Sequence, residues 1–294
     1  MNMTDAVSVI CAYPLSGQYG PGARFSLYIL ILACIVWRKQ VLVLNVGLGA
    51  VLLAGLVAAV HGVALGAVSG LGDNKHVLDF DVFGAAYICT FCLGLVPGLI
   101  LLGAEFLSGA TTTIVIGWYA LMLAGETGVT AALFRAPTRG SPCVDAAGAN
   151  ISHSVFIVGE TDCHLSCMDI PTLPLRQGQS AVYIQPDSGP VDIAALGSLA
   201  GIALCLLTMP VLYRIFRQGP MKSHMGFLML ALLMLIEGPP GAITLAVLSE
   251  IRVFWGPQVR YQVESMAAVG QWSPFVTAFF AIIGGLLINA ADDE

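Results

Sequence analysis

Seven apolar stretches, each about 20 residues long and separated by short segments that carry most of the charge, limit what this chain can become more than any motif does. A helix rises 1.5 Å per residue, so about 20 residues span the roughly 30 Å hydrocarbon core of a bilayer. The stretches run from about Gly20 to Trp37, Val41 to Val63, Phe83 to Gly103, Thr111 to Phe134, Val191 to Tyr213, Met225 to Leu248 and Gln271 to Ala290. Composition agrees. Only 10% of the 294 residues are charged and 57% are hydrophobic, whereas soluble chains carry roughly 25% charged residues. Too few polar residues remain to coat a water-soluble core of this size. The expected fold is therefore all-α and transmembrane: a bundle of about seven spanning helices, solvated by lipid, with a small disulfide-stapled extracellular loop that could form a short β-hairpin.

The spans divide the chain. Residues 1–19 form an extracellular N-terminal segment and 20–134 hold spans one to four. Residues 135–190 make a long extracellular loop, 191–290 hold spans five to seven, and 291–294 form a short cytoplasmic tail. Met1 to Gly22 has Asp5, no Lys or Arg and no apolar core of its own, so it does not read as a cleaved secretory signal. Only Arg38-Lys39-Gln40 separates the first two spans, so counts of six and eight remain compatible with the pattern.

Insertion energetics rank the spans. A buried Leu, Ile, Val or Phe contributes about −0.3 to −0.6 kcal/mol and a central acid costs about +3. In the fourth span the apolar side chains, among them Ile114, Ile116, Leu121 and Leu123, roughly balance Glu126. In the sixth, Phe227, Leu228, Leu230, Leu232, Leu233, Leu235 and Ile236 outweigh Glu237.

Orientation follows from charge and from chemistry that needs an extracellular compartment. Arg38 and Lys39 follow the first span, and Arg214, Arg217 and Lys222 lie between the fifth and sixth, a density of cations that marks the cytoplasmic side. The glycosylation sequons Asn2-Met3-Thr4 and Asn150-Ile151-Ser152 then fall outside, as do Cys11, Cys143, Cys163 and Cys167. The expected placement is the plasma membrane or secretory pathway with the N-terminus outside. Those four cysteines are disulfide candidates of undetermined pairing, while Cys34, Cys89, Cys92 and Cys205 fall in spans and act as small apolar residues. Cys163-His164-Leu165-Ser166-Cys167, with Cys143 and His153 nearby, has the residue types of a metal site. Disulfides are the preferred reading, because thiolates rarely stay unpaired outside the cytosol, and no metal or cofactor is assigned. Within the long loop, Ser154–Val158 and Ala181–Ile184 have strand character.

Polar groups inside the spans are the candidate functional residues: Asn45 and His61 in the second, Glu126 in the fourth and Glu237 in the sixth. Burying such groups is costly, so each must face protein or water and have a partner. They can line a proton or substrate path, or simply hold helices together by hydrogen bonds. Asn45 and His61 are sixteen residues apart, about 160° around a helix, and do not share a face. In Glu237-Gly238-Pro239-Pro240-Gly241 two prolines remove backbone donors within the span, so Pro239 and Pro240 are hinge candidates, and freed carbonyls beside an acid can bind a cation. Gly62, Gly66 and Gly70 in the second span, with Gly197 and Gly201 in the fifth, have the spacing of closely packed helices.

Catalytic readings find little footing. Gly70-Leu71-Gly72-Asp73 resembles the Gly-x-Gly-Asp motif of intramembrane aspartyl proteases, but it sits at a span's end and lacks a second intramembrane aspartate. No phosphate-cradling loop, His-Glu-x-x-His or nucleophile elbow occurs, so the chain is not read as an enzyme. The scattered cations form no basic stripe, so no nucleic-acid partner is expected.

Seven spans with an outer N-terminus resemble the topology of G-protein-coupled receptors. However, the third span ends in Leu102-Gly103-Ala104-Glu105-Phe106 and the seventh in Leu286-Leu287-Ile288-Asn289-Ala290, without that family's motifs. No lysine lies in the last span to carry retinal. Tyr13-Pro14-Leu15-Ser16-Gly17-Gln18-Tyr19-Gly20-Pro21-Gly22 and Leu78-Asp79-Phe80-Asp81-Val82-Phe83 resemble recurrent elements of uncharacterised multi-pass membrane proteins of filamentous, ascomycete fungi. That resemblance implies a membrane protein and brings no activity. Two functions fit the sequence: a receptor-like sensor, or a small-solute or ion transporter or channel using Glu126 and Glu237.

Overall fold

The computed structural model describes residues 6–37, 40–69, 77–102, 111–136, 140–152, 155–156, 163, 165, 167, 181–185, 188–218, 239–255 and 269–292. It is mostly helical. Among these residues seven α-helices run as α1 (Pro21–Val36), α2 (Val41–Val68), α3 (Asp81–Leu102), α4 (Thr111–Phe134), α5 (Ser188–Gln218), α6 (Pro239–Ser249) and α7 (Val269–Asp292). A 3-10 turn, Gly17–Tyr19, leads into α1, and a π-helical turn, Glu250–Phe254, extends α6.

Local chemistry sets the starts of α1 and α3. Pro21 occupies the first turn of α1, where its fixed φ suits a helix and its missing N–H costs nothing. Ahead of α3, the Asp79 carboxylate accepts the Asp81 backbone N–H at 2.9 Å. Asp81 lies at the positive end of the helix dipole, and its Oδ1 accepts the Ser16 N–H at 2.7 Å, tying the α1 approach to α3.

Several helices present apolar side chains outward. On α1 the exposed positions are Phe25, Ile29, Leu32 and Val36, and on α7 they include Val276, Phe279, Phe280, Ile283 and Leu287. Spacings of three, four and seven residues make each set a stripe. This is the reverse of a surface helix in water. Among the described residues two helical runs, Gly17–Val36 and Val46–Val68, are long and apolar enough to cross a membrane.

Close packing of α2 on α4 rests on glycine. A Cβ on Gly62 would lie 2.7 Å from the Gly125 carbonyl oxygen, and one on Gly66 would lie 2.6 Å from the Gly128 Cα. The backbones therefore touch, as in small-residue helix pairs. Of the other glycines singled out in the sequence, Gly197 faces open space, Gly201 approaches the Glu126 carboxyl, and Gly70 lies outside the described residues.

The sequence suggests a hairpin confined to the long loop. The structure instead has a four-stranded sheet built around the N-terminal segment. Strand β1 (Ser8–Tyr13) pairs in parallel with β2 (Val77–Asp79) and antiparallel with both β3 (Ser141–Pro142) and β4 (Ala181–Ile184). Cys11 and Ala12 have partners in both β2 and β4, so those two strands flank β1. Ala181–Ile184 is thus a strand as expected, but its partner lies some 170 residues upstream. Val155 and Phe156 are not in a strand, and the rest of Ser154–Val158 lies outside the described residues.

Both faces of β1 are covered. Val7 and Val9 join Cys143, Phe156 and Cys163 in a small outer core, while Ile10 and Ala12 join the main core with Leu15, Tyr19, Phe80 and Tyr183. Disulfides Cys11–Cys167 and Cys143–Cys163 staple this layer, so all four candidate cysteines pair with each other. The chain reaches the sheet before α1, between α2 and α3, and between α4 and α5. Two helices separate each visit from the next.

Candidate functional site

Arg24 sits in the first turn of α1 and is 1% exposed. A buried guanidinium needs an anion and acceptors for its N–H groups. Its Nε donates to Glu250 Oε1 at 2.7 Å and its Nη2 to Glu250 Oε2 at 3.0 Å, a bidentate pair. Nη1 donates to the Tyr19 carbonyl at 2.5 Å. The guanidinium also lies 3.7 Å from the centre of the Phe254 ring, a cation–π contact.

Glu250 opens the π turn and is satisfied as fully as its partner. Oε1 also accepts the Tyr28 hydroxyl at 2.7 Å, and Oε2 accepts Trp255 Nε1 at 3.0 Å. Four donors therefore use the four lone-pair sites of one carboxylate. Because Tyr28 donates to Glu250, the 2.6 Å bond between the Tyr28 and Tyr87 hydroxyls runs from Tyr87 to Tyr28. The cluster draws Arg24 and Tyr28 from α1, one turn apart, Tyr87 from α3, and Glu250, Phe254 and Trp255 from the end of α6. A π turn widens the helix by one residue, and here it brings Glu250, Phe254 and Trp255 to the same guanidinium cluster.

Beside this cluster, on the open side of α1 and α6, lies an apolar groove of about 490 Å³ lined by Phe25, Leu32, Ile243, Val247 and Trp255 among others, with Tyr28 and Glu250 in its wall.

Glu126 forms a second polar centre, in the middle of α4 and fully enclosed. Thr90 of α3 donates to its Oε1 at 2.7 Å. Ser198 of α5 is the other hydroxyl beside the carboxyl, though Glu126 Oε2 and Ser198 Oγ, both buried, reach no hydrogen-bond geometry. Gly201, one turn further along α5, has its missing Cβ 3.2 Å from Oε1.

His61 forms a third. Its Nδ1 is shared by Gln18 Nε2 at 3.0 Å and the Tyr19 hydroxyl at 2.8 Å, and the Tyr19 and His61 rings stack. This couples α2 to the 3-10 turn below the sheet.

No family model, curated protein or solved structure matches this chain.

The structure thus gives Glu126 and His61 different partners. Asn45 lies on α2, but its side chain is outside the described residues, as are Glu237 and Asn2. Pro239 and Pro240 are the first residues given for α6, and the segment before them is also outside the description. Asn150 is exposed, at the end of a tight turn in which Asp145 Oδ1 accepts the Ala147 and Ala149 N–H groups and Gly148 has φ +80°. A positive φ favours glycine there.

Sequence reasoning missed the Arg24–Glu250 cluster. Arg24 carried a usable signal: a cation four residues inside the first span, at about +3 kcal/mol if central, demands a counter-charge. Glu250 carried less, because it falls just past the expected end of the sixth span.

Proposed function

We propose that this chain is a multi-pass membrane protein of the plasma membrane or secretory pathway, crossing the bilayer about seven times with the stapled sheet outside, and that it acts as a receptor-like sensor. One observation carries the sensing role. The Arg24 guanidinium holds the Tyr19 carbonyl, at the foot of the sheet, and the Glu250 carboxylate, at the end of α6, at the same time. Movement of the sheet relative to α1 therefore loads α6, which begins at Pro239 and Pro240 and in sequence follows the basic segment containing Arg214, Arg217 and Lys222.

Topology supports the spanning reading. Helices come in pairs between successive visits to the sheet, as they must if each pair leaves one side of a bilayer and returns. Arg38 and Lys39, between α1 and α2, then fall on the side away from the sheet, as the positive-inside rule requires. The outward apolar stripes suit lipid. Transport through Glu126 has less support, because its carboxyl is enclosed, with Thr90 of α3 as donor and Gly201 of α5 beside it.

The test is hydrogen exchange on detergent-solubilised protein before and after reduction of the two disulfides. Loosening the sheet should raise exchange at Glu250–Phe254 in the wild type and leave the Arg24→Gln baseline unchanged. If the sheet exchanges freely while Glu250–Phe254 stays protected, the sensing role fails. Solute flux into proteoliposomes that disappears in Glu126→Gln would establish the transporter instead.

A further inference from the structure

The ion pair Arg24–Glu250 leaves Glu126 out. A buried carboxylate without a counter-charge costs several kcal/mol, so Glu126 must take up a proton or a small cation. One edge of the carboxyl is left open for the cation: Glu126 Oε2 and Ser198 Oγ are both enclosed and have no hydrogen-bond partner. What remains is a group of oxygens of the hard type that alkali cations favour: both carboxylate oxygens, Thr90 Oγ1 and Ser198 Oγ. Gly201 keeps the α5 side of this group open, since any larger residue would place a Cβ 3.2 Å from Oε1 and 3.3 Å from Thr90 Oγ1.

An access route adjoins it. A cavity of about 60 Å³ lies between α3, α5 and the π turn, lined by Thr90, Gly197, Ser249 and Tyr87 among others. A buried water needs about 10–15 Å³ by this measure, so the cavity has room for a few waters against Thr90, the residue that donates to the Glu126 carboxyl. Its walls also include Phe254, which stacks under Arg24, so the cavity lies between the two polar centres.

We infer that Glu126, Thr90 and Ser198 form a monovalent cation site, of sodium-like size, loaded through the cavity between α3, α5 and the π turn. This goes beyond the sensing role and does not depend on it. An ion there supplies the missing charge and cross-links α3, α4 and α5.

The experiment is thermal unfolding of the detergent-solubilised full chain in NaCl, KCl or N-methylglucamine chloride at equal ionic strength. Sodium should raise the midpoint logarithmically, by on the order of 3 °C per tenfold increase above its dissociation constant, relative to N-methylglucamine. Glu126→Gln should abolish the sodium dependence, and Ser198→Ala should shift that dissociation constant upward at least several-fold. Should Glu126→Gln fail to fold, Gly201→Ala, which crowds the same oxygens, should weaken the sodium response. Identical midpoints in all three salts would overturn the site. So would a sodium response unchanged in these variants.

Discussion

The Arg24 guanidinium and the Glu250 carboxylate meet edge to edge, with Nε 2.7 Å from Oε1 and Nη2 3.0 Å from Oε2, although 226 residues separate them. The pair closes the circle between the first helix and the sixth. A bidentate pair buried and hydrogen-bonded on every side is costly to break from one side, because the partner is left as an uncompensated charge.

Arg24→Gln and Glu250→Gln should therefore each lower stability by about 3–5 kcal/mol. An apolar double replacement, Arg24→Met with Glu250→Leu, should recover most of that loss. Detergent unfolding midpoints measure all three. A double variant as unstable as the sum of the single ones would mean that the pair is not coupled as described.

Glycines on the α2–α4 seam should behave differently from glycines in open helix. Gly125→Ala places a Cβ against the Ala59 backbone and should destabilise by about 1–3 kcal/mol, the usual range for overpacking. Gly197→Ala meets nothing and should stabilise by about 0.5–1 kcal/mol through helix propensity. Opposite signs in the two unfolding midpoints are the expected result.

Thiol mapping should find Cys11 joined to Cys167 and Cys143 to Cys163. The buried Cys34, Cys89, Cys92 and Cys205 should react with a maleimide only after denaturation. Fragments linking Cys11 to Cys143 in a non-reducing digest would contradict the pairing.

Glycan occupancy tests which side the sheet faces. Asn150 is exposed beside the Gly148 turn, so expression in a glycosylating host should give a mobility shift that a glycan-removing enzyme reverses. Asn150→Gln should remove it. A chain that stays unmodified at Asn150 although the segment reaches the lumen would argue that the turn is covered.

Much of the helical fold was legible because an apolar run keeps its signature whatever surrounds it. The sequence places the fourth stretch at Thr111–Phe134, the limits that α4 has, and the seventh within two residues at each end. Ala181–Ile184 was recognised from its β-branched and aromatic residues. Strand β1 was not, for a physical reason. It is buried on both faces, so Ser8–Tyr13 lacks the alternation that marks a half-exposed strand, and its partners lie at Val77, Ser141 and Ala181, beyond the reach of any local pattern. Arg24 was passed over because apolar neighbours on both sides hid one charge. Its partner could not be found from spacing at all, since only the folded bundle brings Glu250 back to the first helix.

The central position of β1 also sets a timetable for biosynthesis. Ser8–Tyr13 is made first but cannot be flanked on both edges until Ala181–Ile184 emerges, after four helices have been synthesised. At 5–20 residues per second that interval is about 10–30 s. Throughout it a strand with two apolar faces and an unpaired Cys11 thiol waits without its final neighbours, so the machinery that shields nascent chains and exchanges thiols has a long duty at this one segment.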